Sequence, residues 1–176
     1  DWFHDAGYGV FVHYLSGLQN DAEQLHSLGR ETSWDECVAE FDTDAFAATM
    51  NEVGAGYVIF TVMQRKRDLI EDLYQSLAKY KIPLMLYFTG DGPRDDPQAS
   101  KAFGWSSPVT DTFVQRWSSV AREYGERYGK KVAGWWVDGS YPWLEYNDKR
   151  LGIFADALRA GNPDRIIAFN RGVDPK

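Results

Sequence analysis

The sequence of 176 residues contains a single cysteine, Cys37, so no internal disulfide can staple the fold. That neither indicates nor excludes an oxidising compartment. No apolar run approaches the ~18 residues of a membrane span. Positive charge is in deficit. Nineteen Lys and Arg against 26 Asp and Glu give a net charge of −7, which disfavours nucleic acid and anionic membrane surfaces as partners. The one basic cluster, RKR at 65–67, reads as a solvated turn. The glycines form no phosphate-binding loop: GAG at 54–56 and GDG at 90–92 lack the GxGxxG spacing, and there is no GxxxxGK[ST]. His4, His13 and His26 do not fall at a metal-ligand spacing such as HxxxH, and no GxSxG elbow occurs. Nucleotide, zinc and serine-hydrolase chemistry are therefore disfavoured. The chain starts at Asp1, without Met or a signal-peptide pattern, and reads as processed or cut.

Aromatic residues are plentiful, at 15% with seven Trp. Such abundance suits a cleft in which pyranose C–H faces stack on rings. It suits equally a core filled with aromatics, and composition alone favours the core. Hydrophobic residues at 44% and charged residues at 26% are ordinary for a globular chain, and the length allows one domain over 1–176 with a sizeable core.

Five short apolar runs punctuate the chain: GVFVHYL (9–15), GYVIFTVM (56–63), IPLMLYFT (82–89), VAGWWVD (132–138) and RIIAFNR (165–171). They are apolar almost continuously rather than alternately, as expected of parallel strands covered on both faces. Helix patterns lie between them. One, capped by Asp42 or Thr43, buries Phe46, Met50 and Val53 and stops at Gly54. A second, at 68–80, aligns Leu69, Ile70, Leu73 and Leu77. A third, at 109–128, aligns Val114, Trp117, Val120, Ala121, Tyr124 and Tyr128 and ends at Gly129. A fourth, at 147–160, buries Leu151, Phe154 and Leu158 and breaks at Gly161 and Pro163. The alternation predicts a parallel α/β sheet. Residues 16–41, with Trp34 and Phe41 as anchors, and residues 90–108 read as loops, each after the carboxyl end of a strand, where binding sites are built.

Parallel strands bring their carboxyl ends to one rim. That rim would carry His13, Met63 and Gln64, Asp91, Asp138, and Asn170 with Arg171. Histidine, amide and guanidinium groups read hydroxyls by directional hydrogen bonds. An ionised Asp138 could attack an anomeric carbon or stabilise positive charge there. Each residue also has a plainer reading. His13 could be a satisfied core histidine. Arg171 could pair with Asp138 or Asp174. Asp138 could cap the Gly139–Ser140 turn. A carboxylate closing a double-Trp strand is costly to bury unless used, which favours function for Asp138.

The segments WFHDAGYGVFVHYL, GAGYVIFTV, IPLMLYFT, VAGWWVDGSY and NPDRIIAFNR, in this order and spacing, resemble the N-terminal part of the catalytic domain of the α-L-fucosidase family of retaining glycoside hydrolases. The resemblance covers nearly the whole chain. It implies a (β/α)8 TIM barrel, of which this chain holds about the first five βα units. It also implies double-displacement hydrolysis of a terminal α-L-fucosyl or related residue, without metal or cofactor. The family's nucleophile matches Asp138, its first-strand sugar-binding histidine matches His13, and its fifth-strand arginine matches Arg171. Trp135, Trp136 or Trp143 would supply apolar walls, with Trp136 the expected substrate contact. Such an enzyme takes a glycan or glycoside and belongs in a secreted, periplasmic or lysosome-like compartment rather than the cytoplasm.

Two departures stand out. Where the family has a His-His pair after the second strand, this chain has Met63 and Gln64, leaving Gln64 as the substrate contact there. A full barrel needs eight strands in about 250 residues. An open half-barrel exposes sheet edges, which calls for self-association or a missing barrel segment. The acid/base is not assigned by the resemblance; Asp91, Glu145 and Asp174 are candidates by placement alone. The altered second strand keeps two other readings open: a non-catalytic carbohydrate-binding relative, and a hydrolase of a different sugar such as a galactoside.

Overall fold

The computed structural model describes residues 1–15, 33–62 and 66–173. All five apolar runs form strands, β1 (Gly9–Val12), β2 (Tyr57–Thr61), β3 (Leu84–Thr89), β4 (Val132–Asp138) and β5 (Ile166–Phe169). They make one parallel sheet in the order β1-β2-β3-β4-β5. The chain divides into two compact units, Asp1–Leu86 and Tyr87–Lys176, with the division falling inside β3.

In the first unit, β1 pairs with β2 from Gly9↔Tyr57 to Val12↔Phe60. A short helix, α1 (Trp2–Asp5), precedes β1. Next come α2 (Trp34–Glu40), α3 (Thr43–Glu52) and α4 (Leu69–Ala78). The residues at 34–40, expected as loop, are helical because Ser33 and Glu36 form a reciprocal capping box. Trp34 and Phe41 are nonetheless anchors. Trp34 is buried, and the Phe41 ring lies 4.9 Å from Tyr14, 5.6 Å from Phe46 and 5.9 Å from Phe60. Helix α3 is capped by Asp42, but its buried stripe runs Thr43, Ala47, Met50. That rotation leaves Phe46 half-buried and Val53, expected inside, 49% exposed at the C-cap. Helix α4 buries the four expected residues, Leu69, Ile70, Leu73 and Leu77.

Arg67, expected in a solvated turn, is half-buried. Its Nη1 donates to the carbonyls of Val38 at 2.8 Å, Ala39 at 3.2 Å and Phe41 at 2.8 Å, and Nε donates to Asp72 at 2.7 Å. At the end of α2 Val38 O accepts only a long bond, 3.4 Å, from the C-cap Phe41 N, so a cation there meets both a hydrogen-bonding need and the helix dipole.

The second unit holds α5 (Pro97–Phe103), α6 (Asp111–Tyr128) and α7 (Asp148–Leu158). The segment 90–108, expected as loop throughout, contains α5. Asp96 caps it, Pro97 opens it and Gly104, at φ +71°, closes it. Helices α6 and α7 form as the apolar spacing predicts, although Trp117, Val120, Tyr124 and Leu151 are only half-buried while Phe113 and Gly125 are buried. Pairing of β4 with β5 runs from Gly134↔Ile166 to Val137↔Phe169. The terminal strands β1 and β5 are not covered on both faces as expected: β5 is half-buried throughout, and Phe11 in β1 is 41% exposed. Among the described residues, each has a strand neighbour on one side only.

The second unit is organised around Arg165, which is 3% exposed. Its Nε donates to Val132 O at 3.0 Å, Nη1 to Leu158 O at 2.8 Å and Ala160 O at 2.6 Å, and Nη2 to Gly125 O at 2.7 Å and Gly129 O. Five N–H groups thus meet five carbonyls. Burial pushes this guanidinium down to about 10, which leaves it charged at neutral pH. Gly125 and Gly161 allow the approach. A Cβ at Gly125 would lie 2.9 Å from Ala160 O and from Arg165 Nη1, and one at Gly161 would lie 2.6 Å from Gly125 O. Arg165→Met is expected to remove all five of these hydrogen bonds from the interior and cost about 3–5 kcal/mol, with Arg165→Lys recovering part of it. Urea titration followed by circular dichroism checks this, and an unchanged midpoint for Arg165→Met would contradict it.

Candidate active site

The candidate site lies wholly within the second unit, at the carboxyl ends of β3, β4 and β5. Side chains alternate along β4, so Trp136 and Asp138 share one face and Trp135 and Val137 the other. Trp135 is fully buried, with its ring edge-on to Phe88 at 6.3 Å. It is a core residue, which corrects its expected place as a wall for ligand. Trp136, on the Asp138 face, is half-buried.

The Asp138 carboxylate is held by four donors. Oδ1 accepts from Gly139 N at 2.9 Å, Tyr141 Oη at 3.2 Å and Asn170 Nδ2 at 2.8 Å. Oδ2 accepts from Tyr87 Oη at 3.0 Å. The Gly139 contact is the turn cap that the sequence allows, here as one bond among four. Burial, then the charge of Asp138, push the Tyr87 and Tyr141 hydroxyls up, so both stay protonated donors at neutral pH. Asn170 is itself fixed. Its N donates to Val137 O at 2.8 Å, and its Oδ1 accepts from Gly172 N at 3.0 Å.

Gly139 turns the chain at φ +78°, and a Cβ there would lie 2.8 Å from Asp91. The turn after β3 packs against this point, with Gly90 N donating to Asp138 O at 2.5 Å. Three aromatic donors clamp its consecutive carbonyls: Trp117 Nε1 to Thr89 O at 2.6 Å, Tyr146 Oη to Gly90 O, and Trp105 Nε1 to Asp91 O at 2.6 Å. The Asp91 carboxylate accepts from Thr89 Oγ1 and pairs with Arg94 at 3.1 Å. Glu145 is exposed and lies 3.7 Å from Arg150. Beside Asp138 is an aromatic platform. Trp143 stacks on Tyr141, with centroids 4.4 Å apart and planes at 22°, and remains 57% exposed. A Cβ at Gly172 would come within 2.7 Å of the Trp143 ring, so that glycine lets the platform pack.

Of the residues expected at the rim, the structure brings Asp138, Asn170 and Asp91 into this neighbourhood. Arg171 is exposed and makes no bond to Asp138, because the residue aligned with Asp138 across the β4–β5 register is Asn170. Asp174 lies outside the described residues, as do Met63 and Gln64. His13 belongs to the first unit, just after β1. It is exposed, with its ring 4.5 Å from Phe11. Tyr87 and Tyr141 were not singled out by sequence. The available signal was a lone hydroxyl within the apolar LMLYF of β3, and the Tyr that closes DGSY. Among the described residues, no group of three or more His, Cys, Asp or Glu could hold a metal ion, and no helix is long and apolar enough to cross a membrane.

The chain matches no protein-family model and no curated protein sequence. Solved structures do match. A bacterial fucosidase bound to a dihydroxy-methylpyrrolidine triazole inhibitor aligns at 20% identity and a TM-score of 0.65, over 94% of this chain and 46% of its own. The Thermotoga maritima α-fucosidase with a mechanism-based inhibitor aligns at 16% identity and TM-score 0.63, over 98% and 54%. A trapped covalent intermediate of the family 29 α-L-fucosidase from Bacteroides thetaiotaomicron, formed with 2-fluoro-fucosyl fluoride, aligns at 19% and 0.62, over 94% and 47%. The chain thus spans about half the length of the structures it matches. In fold it resembles the α-L-fucosidases of glycoside hydrolase family 29.

Proposed function

We propose that this chain carries the nucleophile-bearing part of a retaining glycoside hydrolase of α-L-fucosidase type, within a (β/α)8 barrel of which 1–176 is an incomplete catalytic domain. The observation that carries this reading is the Asp138 carboxylate. It closes a central parallel strand, is oriented by four hydrogen-bond donors, has no cation paired to it among the described residues, and sits beside an exposed aromatic platform. The likeness in fold to a fucosidase whose covalent intermediate was trapped supports a double displacement. Asp138 attacks the anomeric carbon and water later releases the sugar. Trp136 and Trp143 offer apolar surface to the sugar and Arg171 binds its hydroxyls, a task that the family resemblance assigns also to His13 and, by position in the sequence, to Gln64.

A second reading is a carbohydrate-binding relative without hydrolysis. It is favoured by Asp91, the acid nearest the turn after β4, being engaged by Arg94 and Thr89 rather than available as an acid/base.

In the full-length protein, Asp138→Ala is expected to lower turnover of 4-nitrophenyl α-L-fucoside by roughly 10³-fold or more, with partial rescue by azide or formate. Near-normal turnover in that variant would remove Asp138 from the role. Sugar binding that survives Asp138→Asn, with no aryl glycoside hydrolysed by the unaltered protein, would instead establish the binding relative. Trp143→Ala is expected to raise KM about 3- to 10-fold with kcat little changed, as loss of one stacking surface requires. Steady-state kinetics on the same substrate checks this, and an unchanged KM would exclude the platform from substrate binding.

A further inference from the structure

The two oxygens of Asp138 differ in what they can still do. Oδ1 accepts three hydrogen bonds, from Gly139, Tyr141 and Asn170. A carboxylate oxygen has two in-plane lone pairs, so Oδ1 is saturated. Among the described residues Oδ2 accepts one bond, from Tyr87 at 3.0 Å, and keeps a lone pair. We infer that Oδ2 is the oxygen that bonds to the sugar, and that Tyr87 is a positioning residue governing its departure from the glycosyl ester. The inference rests on Asp138 being the nucleophile.

In the first step a lone pair of Oδ2 forms the bond to the anomeric carbon. The bond from that carbon to the aglycone oxygen breaks, and its electron pair leaves on 4-nitrophenolate when the substrate is the aryl fucoside. In the second step the oxygen of water bonds to the anomeric carbon, the carbon–Oδ2 pair returns to the carboxylate, and the proton of water passes to solvent. Oδ2 therefore carries carboxylate charge in the free enzyme, partial charge in both transition states and little charge in the ester. A hydrogen bond to it strengthens with that charge. The Tyr87 bond is consequently strongest before attack and weakest in the intermediate.

Removing such a bond has a directional effect. The climb from free enzyme to the first transition state loses nothing, because the bond favoured its starting point. The climb from ester to the second transition state becomes steeper, because the departing oxygen has lost its donor. The donors on Oδ1 behave differently, since Oδ1 is the ester carbonyl and still accepts from them. Tyr87 suits its task. It is half-buried on β3, and its raised hydroxyl pKa keeps the proton in place.

The test is Tyr87→Phe in the full-length protein, assayed with 4-nitrophenyl α-L-fucoside. The expected result is that kcat and KM fall together by about 10- to 100-fold while kcat/KM changes by only a few-fold, and that stopped flow shows a burst of one equivalent of nitrophenol. Reactivation of enzyme trapped with 2-deoxy-2-fluoro-α-L-fucosyl fluoride slows by a similar factor. Should Tyr87→Phe not fold, 3-fluorotyrosine at position 87 supplies a stronger donor on the same ring and is expected to speed reactivation. A fall in kcat/KM without a burst, or reactivation unaffected by either change, overturns the inference and leaves Asp138 as nucleophile. Failure of the unaltered protein to hydrolyse any aryl glycoside and to be trapped overturns the nucleophile reading, and this inference with it.

Discussion

A buried guanidinium sets the plan of the second unit. Arg165 sits where α6 ends, where α7 ends and where β4 begins, and its five N–H groups bond one carbonyl each from Gly125, Gly129, Val132, Leu158 and Ala160. Helices that terminate in the interior leave carbonyls with no partner inside the helix. A hydrophobic side chain in place of Arg165 would supply them with none of these donors. A planar cation with a fixed fork satisfies several at once and meets the negative ends of two helix dipoles together. Gly125 and Gly161 are the steric counterpart of this arrangement. Side chains at either position would separate the chain segments that Arg165 joins. Strand β4 is thereby anchored at its start, Val132, and its far end, six residues on, carries Asp138.

The site at that far end follows the same logic with signs reversed. Among the described residues, an acid is surrounded by neutral donors rather than paired with a cation. Its charge is stabilised without being cancelled, which preserves its ability to form a new bond. The donors come from the ends of β3 and β5 and from the turn after β4, so the geometry of the carboxylate reports the register of β3, β4 and β5. The left-handed turn at Gly139 brings the chain back against Asp91 closely enough to exclude a side chain.

Much of this was legible in the sequence, in proportion to how local the cause was. The five strands and the helices α4, α6 and α7 follow from apolar spacing, which is a property of contiguous residues. Helix α5 was equally local, with Asp96-Pro97 at its start and Gly104 at its end. The composition of the segment, rich in Gly, Pro and Asp, points to a loop, whereas the positions of those residues mark a helix. Strand coverage was misjudged at β1 and β5 because a run of apolar residues does not say whether a strand has one neighbour or two. Asp138 was legible as a carboxylate at a strand end. Tyr87, Tyr141 and the choice of Asn170 over Arg171 were not, because each depends on register between strands far apart in sequence. Arg165 was illegible too: it opens an apolar run, and its acceptors come from two stretches of chain, 125–132 and 158–160, that meet only in the fold.

The aromatic abundance suits a core or a sugar cleft, and the structure puts part of it to a third use. Trp117, Tyr146 and Trp105 hold three successive carbonyls of the turn after β3 by their polar atoms. Five of the seven tryptophans, Trp105, Trp117, Trp135, Trp136 and Trp143, fall between 87 and 176. One of them is open to solvent beside Asp138, and two are bonded to the turn that abuts it. Indole emission depends on polarity and hydrogen bonding around the ring. The protein therefore carries its own optical label at the site, and changes there register in its intrinsic fluorescence without any attached dye.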